Sequence, residues 1–361
     1  ITNVFTKGTF TIGQITFPNT DGTNGQVLTT NGSGTISWST IIGVPSAYTL
    51  PSADGTSGQV LTTNGSGALS WTTGEGGALS SLPSNVNTLR SSLYIGSDPS
   101  ATVNGDVSNV GLGFGALGVL TTGDSNIAVG RDALAKNTEG RSNTAVGFRA
   151  LERNETGNEN VSIGQSSLRY NVSGVQNTAV GYYSLNKNNE GNSSTAMGYA
   201  SLANNISGGN VTAFGAWSLY ANTNGLHNTA IGKSSIYSNT TGSYNTAVGA
   251  SSLYNSSIGE DNAALGYFSM KDNSTGSRNT AVGTRSLQGN KVGTDNTVLG
   301  YNAGSSNTNG SRNVILGSEA AGSTVSAINQ IVIGQGAVGA GDNTVQLGNT
   351  DISNVKTYGT I

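Results

Sequence analysis

Between residues 93 and 349 apolar side chains recur at a fixed interval that is neither the 3.6 of a helix nor the strict alternation of a long strand. The phrase Asn-Thr-Ala-Val-Gly stands at 143–147, 177–181, 245–249 and 279–283, always a multiple of 17 apart. Followed in steps of 17, its glycine runs through fifteen positions, from Gly96 to Gly334, with no insertion or deletion. The residue before the glycine is apolar throughout, as at Val129, Val146, Ile163, Met197, Phe214, Ile231 and Leu265. Four residues past the glycine stands Leu, Ile or Met, from Leu117 to Leu287, each preceded by Ala or Ser. Such a period is one coil of a β-solenoid.

Two further columns keep the step. A second glycine lies ten residues after the first, from Gly123 to Gly310, so each coil has two corners. Seven residues after the first glycine stands Asn, at Asn137, Asn154, Asn171, Asn188, Asn205, Asn222, Asn239, Asn273, Asn290 and Asn307. Stacked asparagines tolerate turn geometry and bond to one another along the axis. The pre-glycine column and the Leu column together are expected to form the stacking ladder. The residue two before the glycine is mostly Ala (Ala128, Ala145, Ala179, Ala196), on the other strand face, which implies close packing against a second surface. Parallel coils rise about 4.8 Å each, so fifteen make a rod of roughly 70 Å.

The flanks follow other rules. Gln26-Val-Leu-Thr-Thr-Asn-Gly-Ser-Gly-Thr-Ile-Ser-Trp38 returns as Gln59-Val-Leu-Thr-Thr-Asn-Gly-Ser-Gly-Ala-Leu-Ser-Trp71, a step of 33 that Asp21-Gly22 and Asp54-Gly55 also obey. Residues 1–77 are therefore two β modules of strand, Asp-Gly turn, strand, Asn-Gly-Ser-Gly turn and strand, anchored by Trp38 and Trp71. A connector, 78–92, is expected to hold a brief helix from Ser80 or Ser84 to Ser92. The roll fills 93–349. At 350–361 the phrase Ile352-Ser-Asn-Val-Lys-Thr357 echoes Ile1-Thr-Asn-Val-Phe-Thr6, so the chain is expected to be an excerpt of a longer tandem array with a period of about 351 residues.

Composition supports a thin all-β chain. Glycine contributes 54 of 361 residues, apolar residues only 34% and charged residues 10%, which leaves no material for a thick Leu-rich core. With 5 prolines and a net charge of -3 the chain lacks the signature of disorder, and regular repetition is the better account of its low hydrophobicity. Sixteen Lys and Arg form no basic stripe in the sequence, so nucleic acid is not an expected partner. No apolar run reaches 18 residues, and a membrane span is not expected. There is no cysteine, so neither disulfides nor thiolate metal sites hold the fold.

A single thin roll buries little apolar area, and solenoids answer this by capping or oligomerising. Symmetry in the sequence leaves two or three chains open. The Asn-Thr-Ala-Val-Gly-x-x-Ser-Leu register resembles the head repeat of trimeric autotransporter adhesins over about residues 93–349, roughly 70% of the chain, and the same phrases, with the Gly-Gln-Val-Leu-Thr-Thr-Asn-Gly-Ser-Gly modules, are similar also to shafts of phage tail fibres and of very long bacterial surface fibres. The resemblance implies a left-handed parallel β-roll packed as a homotrimer, located extracellularly, at a cell surface or on a virion fibre. The family's usual coil has about 14 residues, so three extra ones are expected to bulge at the Asn-x-x-Gly corner.

Candidate chemistry is sparse. The only histidine, His227, falls in a loop column held elsewhere by Ser, Gln, Tyr or Arg, and is read as solvated. Gly111-Leu-Gly-Phe-Gly115 mimics part of a phosphate loop but lies on the 17-residue grid. Asp21 and Asp54 sit in turn sequences without a calcium-loop pattern. The acids are scattered, so no paired carboxylates are expected, no cofactor or metal is implied, and the chain does not read as an enzyme. Tyr220, Tyr237 and Tyr254 share one column in three successive coils, while Phe148, Tyr182, Tyr199, Tyr267 and Tyr301 recur just after the first glycine. Packing is the first reading of these rings; contact with a glycan or protein receptor is the second, with Tyr220, Tyr237 and Tyr254 as its residues. Two functions follow: a fibre segment that gives length to an adhesive or contact filament, or a receptor-binding head or tail-fibre domain.

Overall fold

A three-residue strand closed by a glycine is too short to hold itself, and what holds it here is its copy one coil away. The computed structural model describes residues 10–12, 15–18, 20–24, 26–40, 51, 53, 56, 59–63, 68–73, 86–87, 92–96, 108–352, 354 and 356. Two compact units appear, Ile1–Ser81 and Leu82–Ile361. All described regular structure is β.

In the first unit, Phe10–Ile12 pairs antiparallel with Ile15–Phe17, Gln26–Thr30 with Ile36–Thr40, and Gln59–Thr63 with Leu69–Thr73. The 33-residue repeat is reproduced in register, since Leu28 faces Trp38 and Leu61 faces Trp71. Asn31 closes the first hairpin turn by accepting from the Ser33 and Thr35 amides on its Oδ1. Each tryptophan reaches back 18 residues: Trp38 Nε1 donates to Thr20 O at 2.7 Å and Trp71 Nε1 to Ala53 O at 2.8 Å. A side chain on Gly22 would strike the Trp38 ring, which explains Asp-Gly at that turn. The Asp54-Gly55 turn and most of 350–361 lie outside the described residues.

The second unit is a parallel β-solenoid of sixteen strands, from Leu93–Ile95 to Val345–Leu347. Each strand pairs with the next at an offset of 17, as in Ala179 with Ala196 and Val180 with Met197, except the last pair, where Ile331 meets Val345 at an offset of 14. The ladder does not close on itself, because each strand is one coil further along and the first and last stand at opposite ends of the stack. Val86–Asn87 runs antiparallel on the first strand, Val86 facing Ile95 and Asn87 facing Tyr94. The helix expected between Ser80 or Ser84 and Ser92 is therefore corrected: this segment supplies a strand that covers one sheet edge.

Backbone groups are satisfied mainly between coils. In one coil the amides of Gly215, Trp217, Leu219, Ala221 and Thr223 donate to Met197, Tyr199, Ser235, Tyr237 and Thr240. That dense bonding holds a costly backbone: Trp217, Leu219 and His227 have φ of 58°, 49° and 55°, and their columns repeat the left-handed conformation.

The inside of the coil corrects the second sequence expectation. The Ala column, not the pre-glycine column, joins Leu in the core: Ala179, Ala196, Ala213, Leu185, Leu202 and Leu219 have no exposed surface. Strands are so close to the opposite arm that only a methyl fits at their centre. Where the centre grows to Val298 and Ile315, the Leu column shrinks to Gly304, whose added Cβ would lie 3.3 Å from Ile315 and 3.4 Å from Val298. Tyr94, in the same column at the first strand, faces Gly111 for that reason, which accounts for the phosphate-loop mimic as a packing requirement. The Ala-or-Ser choice before Leu is also explained, because Ser218 and Ser252 Oγ donate to Gly215 O and Gly249 O at 2.9 Å and so stay satisfied when buried.

Two buried asparagine ladders line the remaining arm. In the expected one, Asn188 Nδ2 donates to Asn171 Oδ1 at 2.7 Å and to Gly191 O at 2.9 Å. The second ladder holds the Asn that opens each Asn-Thr-Ala-Val-Gly phrase: Asn143 donates through N and Nδ2 to Asn126 Oδ1, and through Nδ2 to Gly157 O at 2.8 Å. Both ladders meet on the second glycine's carbonyl, since Asn154 Nδ2 also donates to Gly157 O. The second glycine is thus required by crowding, its Cβ falling 2.5 Å from Gly174 O.

The first ladder has a gap. Ser256 replaces Asn, and both Ser256 Oγ and Asn239 Oδ1 are buried without a partner. Ser256→Asn restores an amide donor to Asn239 Oδ1 and to Gly259 O, and is expected to stabilise the solenoid by about 1–2 kcal/mol. Urea unfolding of the parent and the variant checks it; an unchanged or lower midpoint would refute the ladder's energetic role.

The final step locates the three extra residues of the long coil. Ala321 still bridges Val338 at an offset of 17, whereas Ile328 N donates to Asp342 Oδ1 and Asn329 Nδ2 to Asn343 Oδ1 at an offset of 14. The residues lost between 338 and 342 are those of the Asn-x-x-Gly corner, where the extra length was expected.

Candidate functional site

With Ala turned inward, the two flanking residues of each strand turn outward. The leading position is Thr in eight of the sixteen strands, as at Thr178, Thr195 and Thr212, and apolar in the other eight, as at Val110, Val161 and Val314. The trailing position, just before the glycine, is apolar in all sixteen strands and buried in none, from Ile95 to Leu347. Ile163, Met197 and Ile231 are 41%, 40% and 42% exposed. One unbroken apolar stripe therefore runs the length of the sheet, a single residue wide across the strands from Thr178–Val180 to Thr246–Val248 and wider where the leading residue is apolar too.

Aromatic residues form ladders on other outer positions. Tyr220, Tyr237 and Tyr254 do come together: their ring centroids are 5.2 and 5.0 Å apart, with planes within 9° and 4° of parallel. Tyr237 lies between its two neighbours and offers no free face to a sugar ring. Burial in the stack, then the neighbouring Tyr254 and Tyr220 phenols, pushes the Tyr237 hydroxyl up from its ordinary value. After the first glycine, Tyr182 stacks on Tyr199 at 5.4 Å, and Tyr199 meets the edge of Trp217 at 5.5 Å. His227 is exposed and stacks on Tyr244 at 5.0 Å.

Charges also follow the 17-residue register. Arg278 Nε and Nη2 donate to both Asp295 carboxylate oxygens, at 2.7 and 3.1 Å. Those bonds hold the Asp295 carboxyl below the usual range, with help from Thr294. Arg169 pairs with Glu152 one coil back, and Arg149 lies 3.8 Å from Asp132. The exposed Arg278–Asp295 pair adds little energy, and the value of all three pairs lies in fixing which coil sits on which.

The described surface carries shallow grooves. One, of about 500 Å³, is lined by Arg169, Tyr170, Tyr183, Asn186, Lys187 and Ile206. Among the described residues no three His, Cys, Asp or Glu side chains converge as a metal set, and no helix is long and apolar enough to cross a membrane. No protein-family model matches the sequence, and no curated protein matches it.

Proposed function

We propose that the chain is one protomer of a homotrimeric, parallel β-solenoid segment in an extracellular, cell-surface or virion fibre, where it supplies length and stiffness. The apolar stripe on all sixteen strands carries this reading. A soluble single chain rarely leaves so long a continuous apolar track in water. A narrow apolar stripe stays open at its flanks when two chains meet, whereas three stripes gathered round one axis shield each other. In-register packing also extends each coil's repeat across all three chains, so strength grows with every coil added. The rod's length is roughly 70 Å at the spacing of parallel strands.

The combined substitution Met197→Lys, Ile231→Lys and Leu265→Lys places three charges in the stripe without touching the buried Ala and Leu columns. The parent is expected to sediment as a trimer and the variant as a single chain with an unchanged far-ultraviolet dichroism spectrum. A variant that keeps the parent's mass would exclude the stripe as the assembly face. A second reading, recognition of a receptor by the fibre's flank, is favoured by one feature of its surface charge.

A further inference from the structure

Charged residues one coil apart on the solenoid carry opposite signs. Asp124 precedes Arg141, Asp132 precedes Arg149, Glu152 precedes Arg169, and Asp261, Arg278, Asp295 and Arg312 alternate through four coils. One column breaks this rule. Six residues past the corner glycine, Lys136, Arg153, Tyr170 and Lys187 occupy four successive coils, and Lys136–Arg153 is the one like-signed neighbour pair among the described residues. All three cations are exposed and none belongs to an ion pair among the described residues. Like charges directly opposite on neighbouring strands destabilise the pairing. A fold that neutralises its stacked charges everywhere else but leaves these bare is arranged for an external anion.

The neighbouring side chains narrow the ligand's chemistry. Arg153 and Arg169 both lie over the Tyr170 ring, 4.8 and 4.9 Å from its centroid. The Arg169 guanidinium is already engaged by Glu152, whereas Arg153, in no ion pair among the described residues, is held against the ring as a preorganised fork for carboxylate or sulfate, and the two guanidiniums crowd that ring against a stacked base. Tyr170 and Lys187 also line the groove of about 500 Å³, so the column has a concave edge. Val119 and Asn204 bound the column, which limits it to four coils, roughly 15 Å. A net charge of -3 supplies no long-range field for a nucleic acid.

We propose that Lys136, Arg153, Tyr170 and Lys187, with the groove beside them, bind a carboxylated or sulfated polysaccharide lying along the fibre axis. This site goes beyond the fibre reading and does not depend on the number of protomers. Binding of the full chain is measured by calorimetry with four probes: a heparin octasaccharide, a hyaluronan octasaccharide, a neutral dextran octasaccharide and an oligothymidylate of matched charge. At least one of the two acidic saccharides is expected to bind, heparin pointing to sulfate and hyaluronan to carboxylate, while dextran does not. Lys136→Gln with Arg153→Gln and Lys187→Gln is expected to weaken that binding about tenfold or more. Lys136→Arg with Lys187→Arg keeps it. Lys233→Gln with Lys271→Gln and Lys291→Gln removes as many charges elsewhere and leaves the affinity unchanged. Failure of both acidic saccharides to bind, an equal loss in the second triple variant, or equally tight oligothymidylate binding would overturn the proposal.

Discussion

Gly215→Val is expected to destabilise the solenoid by about 4–6 kcal/mol, the sum of a backbone penalty and a steric one. Gly215 has φ of 125°, a region closed to side chains, and its added Cβ would lie 2.7 Å from Gly232 C and O. Those atoms are backbone of the next coil, itself fixed by bonds to the coil beyond, so nothing nearby can move aside. Because each coil touches only its neighbours, the damage is local and splits the stack rather than melting it uniformly. Urea unfolding should lose its single transition, and limited proteolysis should cut near 215–232. Gly118→Ala is the control, since its Cβ meets nothing nearer than Gly115 O at 3.4 Å and other coils hold Ala135 and Ala203 there. Its expected effect is within about 0.5 kcal/mol. Equal stability of the Gly215 variant and the parent would contradict the coil geometry.

Asn188→Leu conserves volume and removes hydrogen bonding, with an expected cost of about 2–4 kcal/mol. Asn171 Oδ1 loses its donor from Asn188, and Asn205 Nδ2 loses the Asn188 oxygen it reaches at 2.8 Å. Both groups sit in a column closed to water, where an unpaired amide pays its full desolvation. Asn188→Leu and Ser256→Asn therefore move stability in opposite directions for one reason. A denaturation series containing both, singly and together, tests additivity, because the two sites are four coils apart. A neutral Asn188→Leu would show that the ladder follows from the coil rather than supports it.

The coil length, the sixteen-strand ladder's step and the first asparagine ladder were legible in the sequence because a solenoid writes every coil's requirements at one spacing. The direction of each column was not. Val, Ile and Met before the glycine look like core, and Ala beside them looks like a contact surface, but a strand centre pressed against the opposite arm admits only a methyl. The reciprocal change at Val298, Ile315 and Gly304 was the available signal: where one column grows, the facing one shrinks. The second asparagine ladder was visible as a recurring Asn109, Asn126, Asn143 and Asn160, yet read as part of a phrase rather than as a column. The left-handed backbone at Leu219 and its equivalents had no signal, since Leu ordinarily avoids it and only inter-coil bonding holds it. Val86–Asn87 carries no repeat, so its choice of strand over helix depended on an edge that appears only once the solenoid exists. The tyrosine column was legible as a column, and the face-to-face stacking within it emerged only from the coil spacing.

The inversion of the Ala and pre-glycine columns also shapes the functional reading. It leaves the apolar residues outside, on every coil, and makes assembly of like chains the simplest way to cover them. Sedimentation equilibrium of the unmodified chain at micromolar concentration tests this most directly. A single species of three times the chain's mass is expected, independent of concentration across the micromolar range. A species with the mass of one chain would contradict it.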